Sequence, residues 1–157
     1  MEFDRDAVIL TSAARSPVFN EGRKQVFERG EPIVFRRRSA VAEDELQLLF
    51  EAAWGVRKID FRPVLERSFT WVTAHAGQTL VGFVNVAWDG GVHFFLLDTT
   101  VHPAWQRRGI GTRLVRDALD ACRGAGEWIH VDFDPQLTGF YYEAGFGPAT
   151  AAIARVR

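Results

Sequence analysis

Apolar residues recur along this chain with two periods, one typical of strands and one typical of helices. A short β-branched run at residues 33–36 predicts a first strand. Residues 42–53 carry apolar side chains at helical spacing behind an acidic first turn, which predicts a helix ended by Gly55. The same spacing over residues 61–68 predicts a second, shorter helix.

The middle of the chain predicts three consecutive strands, at residues 69–75, 80–88 and 93–101. Residues 76–79 form a hairpin turn between the first two strands, and the Asp-Gly-Gly sequence at 89–91 forms the next turn. Strands joined by such short turns pair antiparallel. A Rossmann sheet, which needs helical crossovers, is therefore excluded.

The last third of the chain changes period three times. Residues 112–125 predict an amphipathic helix. The strand predicted at 128–133 should run parallel to the strand at 93–101, because a helix connects the two. A short helix at 138–144, ended by Gly145, and a closing strand at 149–156 complete the prediction.

Residues 1–32 are an N-terminal extension rich in turn-forming residues. Its short apolar pieces, at 8–10 and 18–19, leave two interpretations open. The extension is either an ordered segment, as an arm packed on the body or as part of a dimer contact, or a loosely attached terminus. Residues 33–157 are expected to form one domain, since a chain of this length can build its own core.

Charge and cysteine content narrow the class of protein. The net charge of −1 offers no basic surplus for a nucleic acid or an anionic membrane, so neither is expected as a partner. The single cysteine, Cys122, cannot form an internal disulfide, which favours a reducing compartment. With no secretion signal or membrane-length apolar run apparent, the expected location is the cytoplasm. No Cys/His cluster indicates a metal site.

The most informative stretch is the glycine-containing sequence at 106–112, between a predicted strand and a predicted helix. Gly109 and Gly111 remove side chains that would block a close ligand. Backbone N–H groups at the start of a helix have no acceptor within it, and with the helix dipole they bind anions. Arg107 and Arg108 add positive charge suited to phosphate. The stretch therefore predicts a phosphate or pyrophosphate site.

Two familiar nucleotide motifs do not match this stretch. A dinucleotide-binding G-x-G-x-x-G would need glycine where the chain has Leu114, and no Gly-Lys-Ser/Thr of a P-loop occurs. On this stretch alone, an ordinary Gly-rich connection remains an open alternative.

The flanking residues resemble a known family. The sequence V-H-P-A-W-Q-R-R-G-I-G at 101–111 resembles the acetyl-CoA motif of the GCN5-related N-acetyltransferase (GNAT) family, and F-Y-Y-E-A-G-F at 140–146 resembles its second signature. The resemblance covers roughly residues 33–157. It implies an α/β (α+β) fold: a mixed, mostly antiparallel central sheet flanked by helices, with a parallel, splayed strand pair at the cofactor site. It also implies acetyl-CoA as co-substrate.

The resemblance assigns roles to particular residues. Pantetheine would pair with the strand backbone near Thr99 and Val101, and the tyrosine that commonly protonates the departing thiolate aligns with Tyr141. The family often has Asn where this chain has Asp134, which can accept but not donate a hydrogen bond when ionised. The implied cofactor-binding set is Thr99, Val101, Gln106, Arg107, Arg108, Gly109, Ile110, Gly111, Thr112, Asp134 and Tyr141.

The proton acceptor and donor are less sharply defined by sequence. Asp98 is an acid within an otherwise apolar strand, where a charge is costly unless it is paired or functional. It is predicted to take the proton from the ammonium or to anchor it, and a purely structural carboxylate is the alternative. For Tyr141 the alternative is packing, and the neighbouring Tyr142 could be the functional ring instead. By the resemblance, Trp54, Arg57 and Phe61 are candidate pocket residues for the acceptor, with core packing the favoured role for the two aromatic residues.

Two functions of different kinds follow. The first is an acetyl-CoA-dependent N-acetyltransferase that acts by direct attack of a primary amine of a small molecule or peptide. The second is a non-catalytic acetyl-CoA-binding sensor or regulatory module. Asp98 and Tyr141 favour the enzyme, because only an enzyme needs a proton acceptor and donor at the thioester. Either a monomer or a homodimer is expected.

Overall fold

The computed structural model describes residue 30, residues 32–55 and residues 58–156. Its helices and strands are, in order, β1 (Ile33–Arg37), α1 (Glu43–Trp54), α2 (Arg62–Arg67), β2 (Ser68–Ala76), β3 (Thr79–Trp88), β4 (His93–Val101), α3 (Ile110–Cys122), β5 (Trp128–Val131) and α4 (Thr138–Ala144). Short 3₁₀ turns at Pro103–Trp105 and Pro135–Leu137 precede α3 and α4. The predicted extension at 1–32 falls almost entirely outside the described residues.

The sheet follows the chain order, β1-β2-β3-β4-β5. The first four strands pair antiparallel, and β4 pairs with β5 in parallel. The crossover through α3 permits this parallel pairing, as the sequence predicted. The mixed, mostly antiparallel sheet flanked by helices confirms the predicted fold class.

Each face of the sheet carries its own core. On one face α3 and α4 cover the larger cluster, which includes Leu114, Val115 and Tyr141. On the other face α1 packs over Phe83 of β3 through Phe50 and its neighbours. The local start of α1 follows its sequence, since acidic residues fill its first turn and the Glu45 carboxylate accepts the Ala42 N–H at 3.1 Å.

Two irregularities of β4 shape the end of the sheet. Its pairing with β5 stops at Leu96 and Val131, while β4 itself continues to Val101, which is still paired with β3. Between the pairs Asn85↔Leu97 and Phe83↔Thr100, β4 holds one residue more than β3. The extra residue makes a β-bulge, and Asp98 within it has φ 56, in the left-handed region.

One predicted element is wrong. Residues 149–156 form no strand, and Ile153 and Val156 are 62% and 98% exposed. Half of this segment is alanine, which is depleted in strands, and no described strand pairs with it. The other predicted elements are present with boundaries shifted by no more than three residues.

Candidate active site

The loop before α3 leaves the start of that helix without a side-chain cap. Gly109 is the N-cap residue with φ 76, and the helix begins at Ile110 without a side-chain cap. The first helical backbone bond runs from the Arg113 N–H to the Gly109 carbonyl at 3.0 Å. The N–H groups of Ile110, Gly111 and Thr112 therefore point out of the helix end without an acceptor inside it. Together with the helix dipole they can bind a phosphate.

The packing of α3 gives a reason for glycine at position 111 that does not depend on a ligand. A Cβ placed on it would lie 3.2 Å from the Phe140 ring of α4 and 3.6 Å from Val101. Packing against Phe140 therefore adds a second reason for glycine at this position, beside the space for a ligand that the sequence predicts. Gly111 allows α3 to pack closely on α4, whereas a Cβ on Gly109 would meet nothing within 4 Å.

The polar side chains before Gly109 hold the loop to the body. The Gln106 amide donates to the Val101 carbonyl at 3.1 Å, joining the loop to the end of β4. The Arg108 guanidinium lies 4.6 Å from the centroid of the buried Trp105 ring and donates to the Ala104 carbonyl at 3.1 Å. Arg107 is exposed. The cofactor loop is thus fixed by Gln106 and Arg108, and both arginines leave positive charge near the helix start.

The bulge in β4 is held by a chain of hydrogen bonds. The Trp54 indole donates to the Thr100 hydroxyl at 3.1 Å, and that hydroxyl donates to the Asp98 carbonyl at 3.0 Å. The buried Asn85 amide faces Asp98 Oδ2 at 3.0 Å and the Leu97 carbonyl at 2.9 Å. Both neighbours are acceptors, so the amide nitrogen must face them. Asp98 therefore has a defined partner on β3.

Tyr141 lies at the same bulge, from the opposite face of the sheet. Its side chain is 5% exposed, and its hydroxyl lies beside the Thr99 side chain. Its ring stacks on Phe133 at 4.6 Å and meets Phe140 and Phe146 edge-on. Burial raises the pKa of the Tyr141 phenol, and the Thr99 side chain opposes that rise. The phenol therefore carries its proton at neutral pH.

The two neighbouring tyrosines occupy different environments. Tyr142 is 43% exposed on the outer side of α4, whereas Tyr141 is buried beside Thr99. Helical geometry turns adjacent side chains about 100° apart, so only one of the pair can face the sheet. The geometry therefore puts Tyr141, and not Tyr142, at the bulge.

The remaining candidates are more dispersed. The Asp134 carboxylate accepts the Gln136 N–H at 2.8 Å and caps the short turn before α4. Phe61 is 1% exposed and packs on Phe50 at 4.8 Å, so it belongs to the core and lines no open pocket. Trp54 contacts the bulge through Thr100, and Arg57 lies outside the described residues.

Sequence reasoning missed Asn85, which the structure brings against Asp98. Asn85 is a polar residue within an otherwise apolar strand, the same signal that singled out Asp98. The argument that a buried polar group needs a partner could have paired the two residues. Their contact depends on the register of β3 against β4, which the sequence pattern does not specify to one residue.

Other reactive groups do not form a second centre. In the described ranges no group of three or more His, Cys, Asp or Glu side chains is placed to hold a metal ion. Cys122 is buried at the end of α3, and burial raises the pKa of its thiol to about 11. No helix in the described part of the chain is long and apolar enough to cross a membrane.

The fold and the arrangement of this site are typical of acetyltransferases. The chain belongs to the acetyltransferase (GNAT) family, whose model matches residues 38–146. This match confirms the family that the two sequence motifs indicated.

Relatives agree with this assignment over part of their length. The chain is 36% identical over 80 residues to the N-alpha-acetyltransferase RimI of Mycobacterium tuberculosis, a match that covers 48% of this chain and 51% of that protein. It is 36% identical over 84 residues to glucosamine 6-phosphate N-acetyltransferase 1 of Oryza sativa, covering 53% and 50%. The matched segment thus spans about half of each relative.

Solved structures share the fold. A GNAT-family acetyltransferase from Streptococcus pneumoniae superposes with a TM-score of 0.69 at 24% identity, covering 80% of this chain and 99% of that one. A GNAT-family acetyltransferase from Brucella melitensis, solved in complex with acetyl-CoA, has a TM-score of 0.61 at 21% identity, covering 75% and 84%.

Proposed function

We propose that the protein is an acetyl-CoA-dependent N-acetyltransferase that acetylates a primary amine of a small molecule or peptide by direct attack. One observation carries the proposal. The Tyr141 hydroxyl lies beside the Thr99 side chain within a bulge of β4, just where β4 parts from β5 and leads to the uncapped start of α3. A proton donor, an opened strand edge and a phosphate site thus follow one another along a single strand.

The donor would lie along this path. The N–H groups of Ile110, Gly111 and Thr112 would hold the pyrophosphate of acetyl-CoA, with Arg107 and Arg108 adding positive charge. Gln106 would keep the loop joined to β4 through its bond to Val101. The pantetheine arm would then run beside the edge of β4 that β5 leaves unpaired after Leu96.

Residues at the end of this arm would support its binding. Thr99 and Val101 lie on the stretch of β4 beyond the last pair with β5. A backbone N–H there would donate to the thioester oxygen. Asp134 begins the turn that leads into α4, and its carboxylate would fix that turn beside the arm.

The reaction then needs few groups from the protein. The amine nitrogen attacks the thioester carbonyl and forms a tetrahedral intermediate, whose oxyanion the β4 backbone N–H stabilises. Collapse breaks the C–S bond, Tyr141 gives its proton to the thiolate, and the proton that the attacking nitrogen must lose returns Tyr141 to its phenol form. A phenol with a raised pKa is a weak acid, but burial would raise the pKa of the departing thiol as well, so the proton can pass to the thiolate.

Asp98 is proposed as the proton acceptor for the ammonium, directly or through water, or as its anchor. Its Oδ2 faces the Asn85 amide on the side of the sheet that carries α1 and α2. An alkyl ammonium has a pKa of about 10, so loss of its proton is a barrier at neutral pH. A carboxylate at the bulge lowers that barrier by taking the proton or by guiding it to water.

The acceptor is proposed only as a class. The two relatives named above carry protein-directed and sugar-directed names, so the family assignment leaves small molecules and peptides both open. A cytoplasmic location, a monomeric or homodimeric state, and the absence of nucleic-acid and membrane partners belong to the same proposal.

The test is thiol release from acetyl-CoA in the presence of a panel of primary amines and peptides. We expect release that depends on both the amine and the enzyme, with mass spectrometry showing one added acetyl group on the amine. A protein that binds CoA tightly but acetylates no amine in a broad panel would instead be the sensor or regulatory module.

A further inference from the structure

The bulge at Asp98 is conformationally strained, which raises the question of what holds it. Aspartate visits the left-handed region more readily than most residues, but φ near +56° within a strand still breaks the ladder and needs contacts that hold it. The geometry points to Asn85 as a positioning residue that clamps this bulge and orients the Asp98 carboxylate for the reaction proposed above.

The contacts of Asn85 fit a clamp. It is 2% exposed in the middle of β3, and its amide nitrogen lies 2.9 Å from the Leu97 carbonyl and 3.0 Å from Asp98 Oδ2. These atoms belong to the two residues at which the ladder between β3 and β4 loses its register. One side chain thus bonds both the last regular residue and the bulged residue.

The other end of the Asn85 amide is anchored as well. Its oxygen faces the Ser68 hydroxyl at 3.0 Å, and that hydroxyl shares its one proton between the Asn85 oxygen and the Val64 carbonyl of α2 at 2.7 Å. The amide is therefore held on the helix-bearing side of the sheet and cannot rotate without losing buried hydrogen bonds. A rigid amide fixes the direction from which Asp98 presents its carboxylate.

The clamp acts together with a second bond to the same bulge. The Thr100 hydroxyl donates to the Asp98 carbonyl, and Trp54 at the end of α1 donates to that hydroxyl. Asn85 therefore controls the side chain of Asp98, while Thr100 controls its backbone. Neither Asn85 nor Thr100 need touch the substrate, because each acts through the bulge.

The experiment is a double-mutant cycle between Asn85 and Asp98. Asn85→Leu removes the donors at similar size, Asp98→Asn keeps an acceptor but removes the charge, and Asp98→Ala removes both. Thr73→Val, which removes a buried hydroxyl on the neighbouring β2, is the stability-matched control. For each protein we would measure kcat, the KM for acetyl-CoA, the affinity for CoA and the melting temperature.

If Asn85 clamps the bulge, Asn85→Leu should lower kcat/KM by about tenfold to a hundredfold, the usual effect of displacing a reacting group by an ångström. Thr73→Val should leave the kinetics unchanged at a comparable loss of melting temperature. Adding Asn85→Leu to Asp98→Ala should have little further effect, because both changes break the same bond. Additive effects, or full turnover in Asn85→Leu, would overturn the clamp.

Two readouts separate this inference from the proposed function on which it rests. Asn85→Leu should shift the amide NMR signals of Asp98, Thr99 and Thr100 well beyond the changes seen in Thr73→Val, and Asp98→Asn should shift them less. These signals report the bulge even if no amine is ever acetylated. Unchanged signals in Asn85→Leu would show that Asn85 does not hold the bulge, and the acetyltransferase proposal would be unaffected.

Discussion

The Tyr141 hydroxyl lies beside the side chain of Thr99, one residue beyond the left-handed Asp98 of β4. Tyr141 belongs to α4, so this contact connects the second sequence signature to the strand that leads into the first. Asp98 reaches Asn85 from the same bulge. The proposed proton acceptor, Asp98, and Thr99, which lies beside the proposed acid, are thus adjacent residues of one distorted strand.

The first prediction concerns Tyr141 as the acid. Tyr141→Phe keeps the buried ring and removes the proton donor, so kcat should fall by about 10²–10⁴-fold, the range for a positioned acid or base. Affinity for CoA should change little. The matched control is Tyr142→Phe on the exposed side of α4, which should retain normal turnover. Full kcat in Tyr141→Phe, with chemistry shown to be rate-limiting, would make Tyr141 a packing residue.

The second prediction concerns the anion-binding start of α3. Gly109 and Gly90 both have positive φ, at 76° and 82°, and a Cβ on either would meet nothing within 4 Å. Alanine at either position should therefore lower the free energy of unfolding by a similar amount, about 1–2 kcal/mol. Only Gly109→Ala distorts the helix start, so only it should weaken CoA binding in calorimetry. Equal CoA affinity in both variants would show that the pyrophosphate does not bind at the start of α3.

The third prediction concerns the close approach of α3 to the sheet. A Cβ on Gly82 of β3 would lie 2.9 Å from Leu114 and 3.2 Å from both Ala74 and Ile110. Gly82→Ala should therefore lower the free energy of unfolding by about 1–3 kcal/mol through overpacking.

Gly139 supplies the opposite case. It lies in the first turn of α4, where a Cβ would meet nothing within 4 Å and φ is not positive. Gly139→Ala should raise the free energy of unfolding by about 0.4–1 kcal/mol, since alanine restricts the unfolded chain. Urea unfolding of both variants checks the pair, and a Gly82→Ala protein as stable as the wild type would contradict the packing.

The fourth prediction concerns His75, a buried residue of β2. Burial lowers the pKa of its imidazole, the Arg36 charge lowers it further and Glu45 opposes the change, while its Nδ1 has no hydrogen-bond partner. The unfolded state, with a pKa near ~6.5, therefore binds the proton before the folded state does. The stability that His75 contributes is present above that pH and is lost as the pH falls below it.

His75→Leu removes this titration from the folded and unfolded states. The melting temperature of the wild type should fall more steeply than that of His75→Leu between about pH 7 and about pH 5. In the wild type the unfolded state gains a proton on His75 that the buried imidazole of the folded state resists, and His75→Leu lacks this difference. The other histidines titrate equally in both proteins and cancel in the comparison. Parallel melting curves against pH would show that His75 is protonated without cost in the folded state.

Most of the fold was predictable because its signals are local. The bounds of β4 and α4 are those expected from residue period and from the terminal Gly145, and the parallel strand pair followed from the helix between its strands. The closing strand at 149–156 failed because a strand needs a partner. A few β-branched residues among alanines suggested a strand, but no described edge pairs with them.

The candidate site was predictable in its parts but not in its connections. The glycine loop and the tyrosine motif are contiguous in sequence, so their residues could be named from it. Asn85, Thr100 and Trp54 could not be connected to Asp98, because those bonds join β3 and α1 to β4. The need for glycine at position 111 was also assigned to the ligand alone, although Phe140 of a distant helix contributes to it.

By itself, the sequence determined the order of the strands and helices up to α4, the glycine-capped start of α3 and the tyrosine pair of α4. Each of these depends on residue type and spacing within one segment, where backbone geometry limits the choice. Tertiary structure alone decided which tyrosine is buried at the bulge, that Asp98 adopts a left-handed conformation, and that Asn85 holds it. Those properties arise from strand register and helix packing, in which a shift of one residue changes every partner.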